Sequence, residues 1–147
     1  MKLKPVKKLN YYYHITSSRT WRDIKELKPR VPELCSDEEP KDIKRICVCS
    51  DIAGCFTAVG DFDYENIKIY RTKNRVRAYE PFSVFDKNIT KEKWLIEPTI
   101  FVKIKGFRRD KIIDIPKEFG VSTWQGQLAV RNRIKKFLIK NKIKLRP

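Results

Sequence analysis

The sequence of 147 residues is poor in the residues from which several common catalytic sites are built. It contains one histidine, His14, whereas the zinc-protease motif needs two histidines on one helix. Its five glycines do not form the Gly-rich loop ending in Gly-Lys-Ser or Gly-Lys-Thr that binds phosphates in Walker-type proteins. No serine lies in a Gly-x-Ser-x-Gly elbow. These absences argue against the zinc-protease, Walker-type and α/β-hydrolase classes.

Long apolar segments are also missing. No run approaches the ~20 residues of a membrane-spanning helix, and no apolar signal region follows the basic N-terminus. We therefore expect a cytoplasmic protein, in which the four cysteines are free thiols. Cys47 and Cys49 have C-x-C spacing rather than the C-x₂₋₄-C spacing of zinc sites, which favours buried thiols over a metal site.

Acidic residues are few, since 18 Asp and Glu stand against 34 Lys and Arg and give a formal net charge of +16. Residues 121–147 contain eight Lys or Arg and no acid, and the first ten residues contain four Lys and no acid. This asymmetry favours an acidic macromolecular partner, a nucleic acid or a nucleoprotein. Solubility of a lysine-rich protein explains the same composition and remains an alternative. The predicted partner-binding residues lie on a C-terminal helix: Arg131, Arg133, Lys135, Lys136 and Lys140.

Hydrophobic periodicity predicts an α+β fold with a small mixed or antiparallel sheet and two or three helices. Predicted strands cover residues 11–15, 45–49, 66–70, 76–79, 83–85, 90–96, 100–104 and 111–115. A helix is predicted over residues 20–27, where Trp21, Ile24 and Leu27 have helical spacing. A second, short helix is predicted after Ser50 and Asp51, which can cap its N-terminus.

The C-terminal helix is the clearest predicted element. Its N-terminus has a capping box, Ser122-x-x-Gln125. An apolar face at helical spacing follows, with basic residues around it. We therefore predict one compact domain over residues 11–147, preceded by a basic N-terminal arm over residues 1–10. The apolar face consists of Val130, Ile134, Phe137 and Leu138.

Several side chains suited to chemistry lie at the ends of predicted strands. His14 and Thr16 end the first strand, Ser50 ends the second, and Glu92 and Glu97 flank an aromatic and apolar segment. An imidazole and a hydroxyl can hold ribose hydroxyls, and a carboxylate beside a ribose stabilises an oxocarbenium-like transition state. The alternatives are a core histidine that is hydrogen-bonded to the backbone and solvated surface glutamates.

Three segments together resemble a known superfamily. The segment Tyr12-Tyr13-His14-Ile15-Thr16, followed by the predicted helix that carries Trp21 and Ile24 and then by Leu27-x-Pro29, resembles the opening of ADP-ribosyltransferase-like domains. In that superfamily a strand brings a histidine to the ribose of NAD. The segment Ile46-Cys47-Val48-Cys49-Ser50 resembles the second motif region. The segment Thr90-x-Glu92-x-Trp94 is similar to the late strand that carries the catalytic glutamate. The resemblance covers roughly residues 11–105.

This resemblance implies a small intracellular ADP-ribosyltransferase-like protein that binds NAD and acts on a macromolecular target. It implies that His14, Thr16 and Ser50 bind the cofactor, and that Glu92 is the catalytic residue with Glu97 as the second candidate. The charge asymmetry favours a different hypothesis, a non-enzymatic protein that binds nucleic acid or inhibits a partner through its basic surface. Phages and mobile elements can encode proteins of either type.

Overall fold

The computed structural model describes most of the chain as a single antiparallel sheet with short helices. The described residues are 3–16, 20–32, 38–59, 66–82, 84, 90–108, 132–133, 135–136, 138–140 and 142. The strands are β1 (Lys4–Pro5), β2 (Tyr13–Thr16), β3 (Ile24–Leu27), β4 (Ile46–Cys49), β5 (Asn66–Thr72), β6 (Tyr79–Glu80), β7 (Glu92–Leu95) and β8 (Thr99–Arg108). Helix α1 (Ile52–Val59) follows β4, and the described residues of 132–140 are also helical.

All eight strands belong to one sheet with the order β1-β6-β7-β4-β2-β5-β8-β3, and every neighbouring pair is antiparallel. The α+β prediction is therefore correct in outline, with the sheet as the larger part. The long strands β5 and β8 pair along most of their length, with a bulge at Ile69 and Tyr70. The pairing of β2 with β4 is short, because it consists of the single pair Tyr13 and Cys49.

The predicted helix over residues 20–27 is wrong, because residues Ile24–Leu27 form β3. Each residue of β3 pairs with a residue of β8, from Ile24 with Val102 to Leu27 with Thr99. Exposure alternates with a period of two, since Ile24 and Glu26 are exposed and the residues after each are half-buried. A pairing partner distant in sequence therefore decides the conformation here.

Most of the other predicted elements agree with the structure where it describes them. The predicted strand over 83–85 does not, because residue 84, its one described residue, lies in no strand. Strands β2, β4, β5, β7 and β8 overlap predicted strands, and α1 begins directly after its predicted cap. The Asp51 carboxylate accepts a hydrogen bond from the backbone N–H of Gly54 at 2.7 Å, which is N-cap geometry. Residues 76–79 contain an isolated bridge, Val76 with Asn10, before β6 begins. The predicted strand over 111–115 and the capping box at Ser122 lie outside the described residues.

The two faces of the sheet are covered differently. One face holds a buried cluster, against which Trp21 and Leu27 pack. On the opposite face α1 places Cys55 against Cys49 of β4 and near the Tyr13 hydroxyl of β2. In the C-terminal helical segment Leu138 is fully buried. The cluster on the first face consists of Tyr12, Ile46, Val48, Tyr70, Ala78, Leu95 and Phe101.

Candidate functional site

The three segments that carry the resemblance form three neighbouring strands in the order β7-β4-β2. Glu92 begins β7, Ser50 directly follows β4, and His14 lies in β2. Glu92 pairs with Cys49, and Cys49 pairs with Tyr13. Since directly paired residues share a face of the sheet, the side chains of Glu92, Cys49 and Tyr13 lie in one row on the face that packs against α1.

His14 connects β2 with β4 at the point where the backbone pairing of these two strands stops. Its Nδ1 lies 3.1 Å from the carbonyl oxygen of Cys47. Its half-buried ring stacks on Trp21 at 5.7 Å between centroids with 17° between the planes, and Phe101 lies 6.0 Å away. The imidazole therefore has a fixed position at the junction of β2 and β4.

The protonation state of His14 follows from these surroundings. Burial lowers the pKa of His14, with a smaller contribution from the positive charge of Arg30, whereas the Cys47 carbonyl acts in the opposite direction. The ring is therefore neutral at pH 7. Because a carbonyl can only accept, we assign the proton to Nδ1, which leaves a lone pair on Nε2. Nε2 has no hydrogen-bond partner among the described residues. His14 thus matches a backbone-bonded histidine and also presents an acceptor.

The segment that covers His14 is held by long-range hydrogen bonds. Lys68 Nζ donates to the Trp21 carbonyl at 2.8 Å, and the Tyr70 hydroxyl donates to the Arg22 carbonyl. The backbone N–H of Lys103 donates to the Asp23 carbonyl at 2.7 Å. Trp21 is consequently fixed over the imidazole, although it does not belong to a helix.

Thr16 lies at the end of β2, two residues after His14, and is half-buried. It pairs with Lys68 of β5. Because side chains two residues apart in a strand share a face, Thr16 and His14 lie on the same side of the sheet, about 7 Å apart along the strand. The structure therefore brings these two predicted cofactor-binding residues together.

Ser50 holds the turn that leads into β7. Its backbone N–H and its hydroxyl both donate to the Lys91 carbonyl, at 3.0 and 3.3 Å. Lys91 has a φ of 59°, in the left-handed region that non-glycine residues rarely adopt. The backbone N–H of Glu92 donates to the Thr90 hydroxyl at 3.3 Å within the same turn. The bonds that the structure gives Ser50 therefore fix the backbone immediately before Glu92.

Glu92 and Glu97 lie at opposite ends of β7. The half-buried Glu92 carboxylate accepts a hydrogen bond from the Trp94 indole Nε1–H at 2.9 Å. Glu97 follows β7 and is exposed, and its carbonyl accepts a hydrogen bond from the Thr99 hydroxyl at 2.9 Å. Only Glu92 lies in the row with Tyr13 at the junction of β4 and β2. The geometry therefore favours Glu92 over Glu97.

Cys47 lies between the two principal candidates. Its carbonyl accepts the hydrogen bond from His14, whereas its side chain faces the Glu92 side of the sheet. Burial raises the pKa of the Cys47 thiol to about 12, the charge of Glu92 raises it as well, and Arg45 acts against both. A hydrogen bond with Cys55 and burial raise the pKa of Cys49 well above its usual range. Both thiols are therefore protonated at neutral pH and are poor nucleophiles.

Arg45 supports this region and was not identified by sequence reasoning. The residue is 1% exposed, and its guanidinium lies 4.4 Å from the centre of the Trp94 ring. It donates to the carbonyls of Pro40 and Ile43, both at 2.8 Å, and lies 3.6 Å from the Glu39 carboxylate. An arginine at the start of a predicted apolar strand gives no signal of burial, because the loop carbonyls that bind it are brought close only by the fold.

His14 and Glu92 do not contact each other. Alternation along the strands places the His14 side chain on the face of Tyr70 and Phe101, whereas Glu92 lies on the α1 face. Cys47 lies between them. Its backbone carbonyl is hydrogen-bonded to His14, and its thiol lies close enough to Glu92 to feel the carboxylate charge. Of the predicted residues on the C-terminal helix, Arg133, Lys136 and Lys140 are exposed, Lys135 is half-buried and Arg131 lies outside the described residues.

Among the described residues no group of three His, Cys, Asp or Glu side chains could hold a metal ion. None of the described helices has both the length and the apolar character needed to cross a bilayer. Comparison of the chain with protein-family models, with curated proteins and with solved structures finds no match.

Proposed function

We propose that this chain is an ADP-ribosyltransferase-like protein that binds NAD and acts on a macromolecular target. One observation carries the proposal. The strand segments 12–16, 46–50 and 90–94 that resemble the superfamily are far apart in sequence, yet they lie on the adjacent strands β2, β4 and β7. The helix that the resemblance implies before Leu27 is instead β3, at the edge of the sheet. A chance resemblance of three short segments gives no reason for them to meet.

His14 and Thr16 are the residues we assign to ribose binding. The neutral imidazole accepts a hydrogen bond at Nε2, because Nδ1 is committed to the Cys47 carbonyl. A ribose hydroxyl is a suitable donor, and the Thr16 hydroxyl adds a group that can donate or accept. The stacking of His14 on Trp21 fixes the imidazole before the ligand binds, which reduces the entropic cost of binding.

Glu92 is the residue we assign to the chemical step. When bound, NAD supplies an ADP-ribosyl group through cleavage of the bond between nicotinamide and ribose. His14 and Thr16 lie on the opposite face of the sheet from Glu92, so this assignment requires the ribose to reach Glu92 between β2 and β4, which pair only at Tyr13 and Cys49. There the Glu92 carboxylate stabilises the positive charge that develops at the sugar carbon. Its orientation is set by the Trp94 indole N–H and by the turn that Ser50 holds. In this assignment Ser50 is a positioning residue.

Calorimetry with NAD and the purified full chain tests the binding part of this proposal. We expect the wild type to bind NAD and His14→Ala to bind about tenfold more weakly, as for one lost hydrogen bond of ~1.4 kcal/mol. His14→Gln, which keeps a side-chain amide, serves as the matched variant and should retain more of the affinity. Absence of binding by a folded wild type, or equal affinity in all three proteins, contradicts the proposal.

A second candidate function is nucleic-acid binding without catalysis. Exposed cationic side chains of the N-terminal arm and of the segment after β5 support it. The two functions are compatible, since a basic surface can bring a target to an enzyme.

A further inference from the structure

Two segments of the chain that lack acidic residues lie side by side in the structure. Residues 1–22 and 66–79 contain no Asp or Glu. Backbone hydrogen bonds join the described part of the first segment to the second, from Val6 to Ala78 at 2.9 Å and between Asn10 and Val76 at 2.9 and 3.2 Å. The fold therefore concentrates on one surface a positive charge that the sequence distributes over two separate segments.

The cationic side chains of these paired segments form what we call the basic band. Five of its six members are exposed, and the Arg71 side chain is half-buried. The acid at the end of the band, Glu80, lies 3.4 Å from Lys93 in an ion pair. No member of the band forms an ion pair with a carboxylate among the residues that the structure describes. The basic band consists of Lys7, Lys8, Arg71, Lys73, Arg75 and Arg77.

Three guanidinium groups of the basic band are held in place before any partner binds. Arg71 and Arg75 lie 4.3 and 5.4 Å from the centre of the Tyr11 ring. Arg77 donates from Nη1 to the carbonyls of Val6 and Lys7, which fixes the arm against the sheet. Side chains ordered in this way lose less conformational entropy when they bind a ligand.

We propose that the basic band binds the phosphate backbone of a nucleic acid. The guanidinium fork matches the oxygen pair of a phosphate, and the band presents three such groups together with three ammonium groups. Neutralisation of successive phosphates releases counterions and supplies most of the affinity of such surfaces. An acidic protein offers carboxylates at irregular spacing, whereas a nucleic acid offers a continuous line of charge to a continuous band.

Arg71, the member of the basic band that lies within β5, is on the same sheet face as Glu92. Arg71 pairs with Tyr13, which pairs with Cys49, which pairs with Glu92, so the four residues form one row. Three strand spacings separate Arg71 from Glu92, which corresponds to about 14 Å. The binding surface itself does not depend on the proposed enzymatic activity, because it is measured without NAD.

The test is fluorescence anisotropy of a short labelled single-stranded DNA with the full chain over a series of salt concentrations. The band variant is Lys8→Gln, Lys73→Gln and Arg75→Gln, which removes three exposed charges and leaves the Arg77 anchor in place. We expect more than a tenfold loss of affinity at moderate salt. The slope of log affinity against log salt should fall by about 2, since each lost contact to a single strand contributes ~0.7.

Two variants with the same loss of charge serve as controls. The first control combines Lys28→Gln, Lys41→Gln and Lys44→Gln, at positions near the bridge between Arg30 and Arg45, before β4 begins. The second control combines Arg133→Gln, Lys136→Gln and Lys140→Gln on the C-terminal helical segment. We expect both controls to keep an affinity within about threefold of wild type, since neither loses a contact of the band.

The outcomes separate the explanations. A loss confined to the band variant, with an unchanged thermal melting curve, supports the proposal. Equal losses in all three variants attribute binding to net charge and overturn it, and a loss confined to the C-terminal variant moves the interface to that helix and overturns it. Absence of DNA and RNA binding by the wild type also overturns it, as does equal affinity for polyglutamate of similar length. None of these results depends on NAD turnover.

Discussion

Gly54 of α1 lies against the backbone of Thr90, the residue that precedes the turn into β7. A Cβ added at Gly54 would lie 1.8 Å from the Thr90 carbonyl oxygen and 2.8 Å from its carbon. Real Cβ atoms do not approach backbone atoms so closely, so any larger residue must displace either α1 or the turn. This contact and the Ser50 hydrogen bonds hold the backbone that presents Glu92.

Gly54→Ala should destabilise the protein by about 1–3 kcal/mol, the usual cost of inserting atoms into a packed site. Gly106→Ala is the matched control, because within the described part of the chain its added Cβ meets only the Ile67 carbonyl oxygen at 3.9 Å. We expect the control to change stability by less than about 0.5 kcal/mol. Urea unfolding of the three proteins measures both effects, and equal stability of the two variants would show that α1 does not contact Thr90 closely.

Ser50→Ala should displace Glu92 without unfolding the protein. The substitution removes the hydroxyl donor to the Lys91 carbonyl and leaves the backbone donor in place, so we expect a loss of about 1 kcal/mol. The readout is the indole N–H resonance of Trp94, which reports its hydrogen bond to Glu92. Trp94→Phe assigns this resonance, and Glu92→Gln gives its position when the acceptor is neutral.

Lys91→Gly is the complementary variant for the same turn. Glycine adopts a φ of 59° without the steric cost that lysine carries, so this variant should be as stable as wild type or up to about 1 kcal/mol more stable. The Trp94 resonance should stay at its wild-type position. A Trp94 resonance that is unmoved by Ser50→Ala would remove Ser50 from the positioning of Glu92.

How far the sequence predicts this molecule depends on whether the deciding contacts are local. The alternation of Ile67 and Ile69 with polar neighbours marks β5 correctly, and Asp51 is a local cap for α1. The spacing of Trp21, Ile24 and Leu27 fits a helix as well as the local patterns of β5 and α1 fit those elements. Only the pairing with β8 shows that Ile24 is an exposed strand residue. Local patterns therefore predict those elements whose conformation does not depend on a pairing strand distant in sequence.

The candidate site shows the same division. The sequence identifies the segments around His14, Ser50 and Glu92, because each has a recognisable local pattern. It cannot give the sheet order that makes these segments neighbours, or the contact of His14 with the Cys47 carbonyl. The burial of Arg45 over Trp94 also depends on loop carbonyls brought close by the fold. These features arise from long-range pairing rather than from residue type.

His14 should titrate below its ordinary pKa, and as the only histidine it can be followed without assignment. Burial lowers its pKa in the folded state, whereas the unfolded chain binds a proton near 6.5. The contribution of His14 to the free energy of unfolding is therefore fully present above pH 6.5. It decreases as the pH falls below that value, by at most about 1.4 kcal/mol per pH unit. Imidazole NMR resonances recorded against pH measure the pKa, and the nitrogen shifts should show the proton on Nδ1.

His14→Gln is the control for the pH dependence. Since this variant lacks the titrating group, its stability should fall less steeply between pH 6.5 and 5 than that of the wild type. A His14 pKa above 6.5, or identical pH profiles of stability for the two proteins, would be incompatible with the buried neutral imidazole. The acceptor role of Nε2 would then lose its basis.

The most direct test of the central claim is the release of nicotinamide from NAD by the purified wild type, by Glu92→Gln and by the matched control Glu97→Gln. Each substitution removes one charge and keeps the side-chain shape. We expect turnover by the wild type, a loss of about 100-fold or more in Glu92→Gln from the missing charge stabilisation, and little change in Glu97→Gln. Activity lost only in Glu97→Gln would keep the enzyme class and reject Glu92 as the catalytic residue. A folded wild type that never releases nicotinamide, or activity that is the same in all three proteins, would contradict the claim that this sheet forms an ADP-ribosyltransferase-like active site.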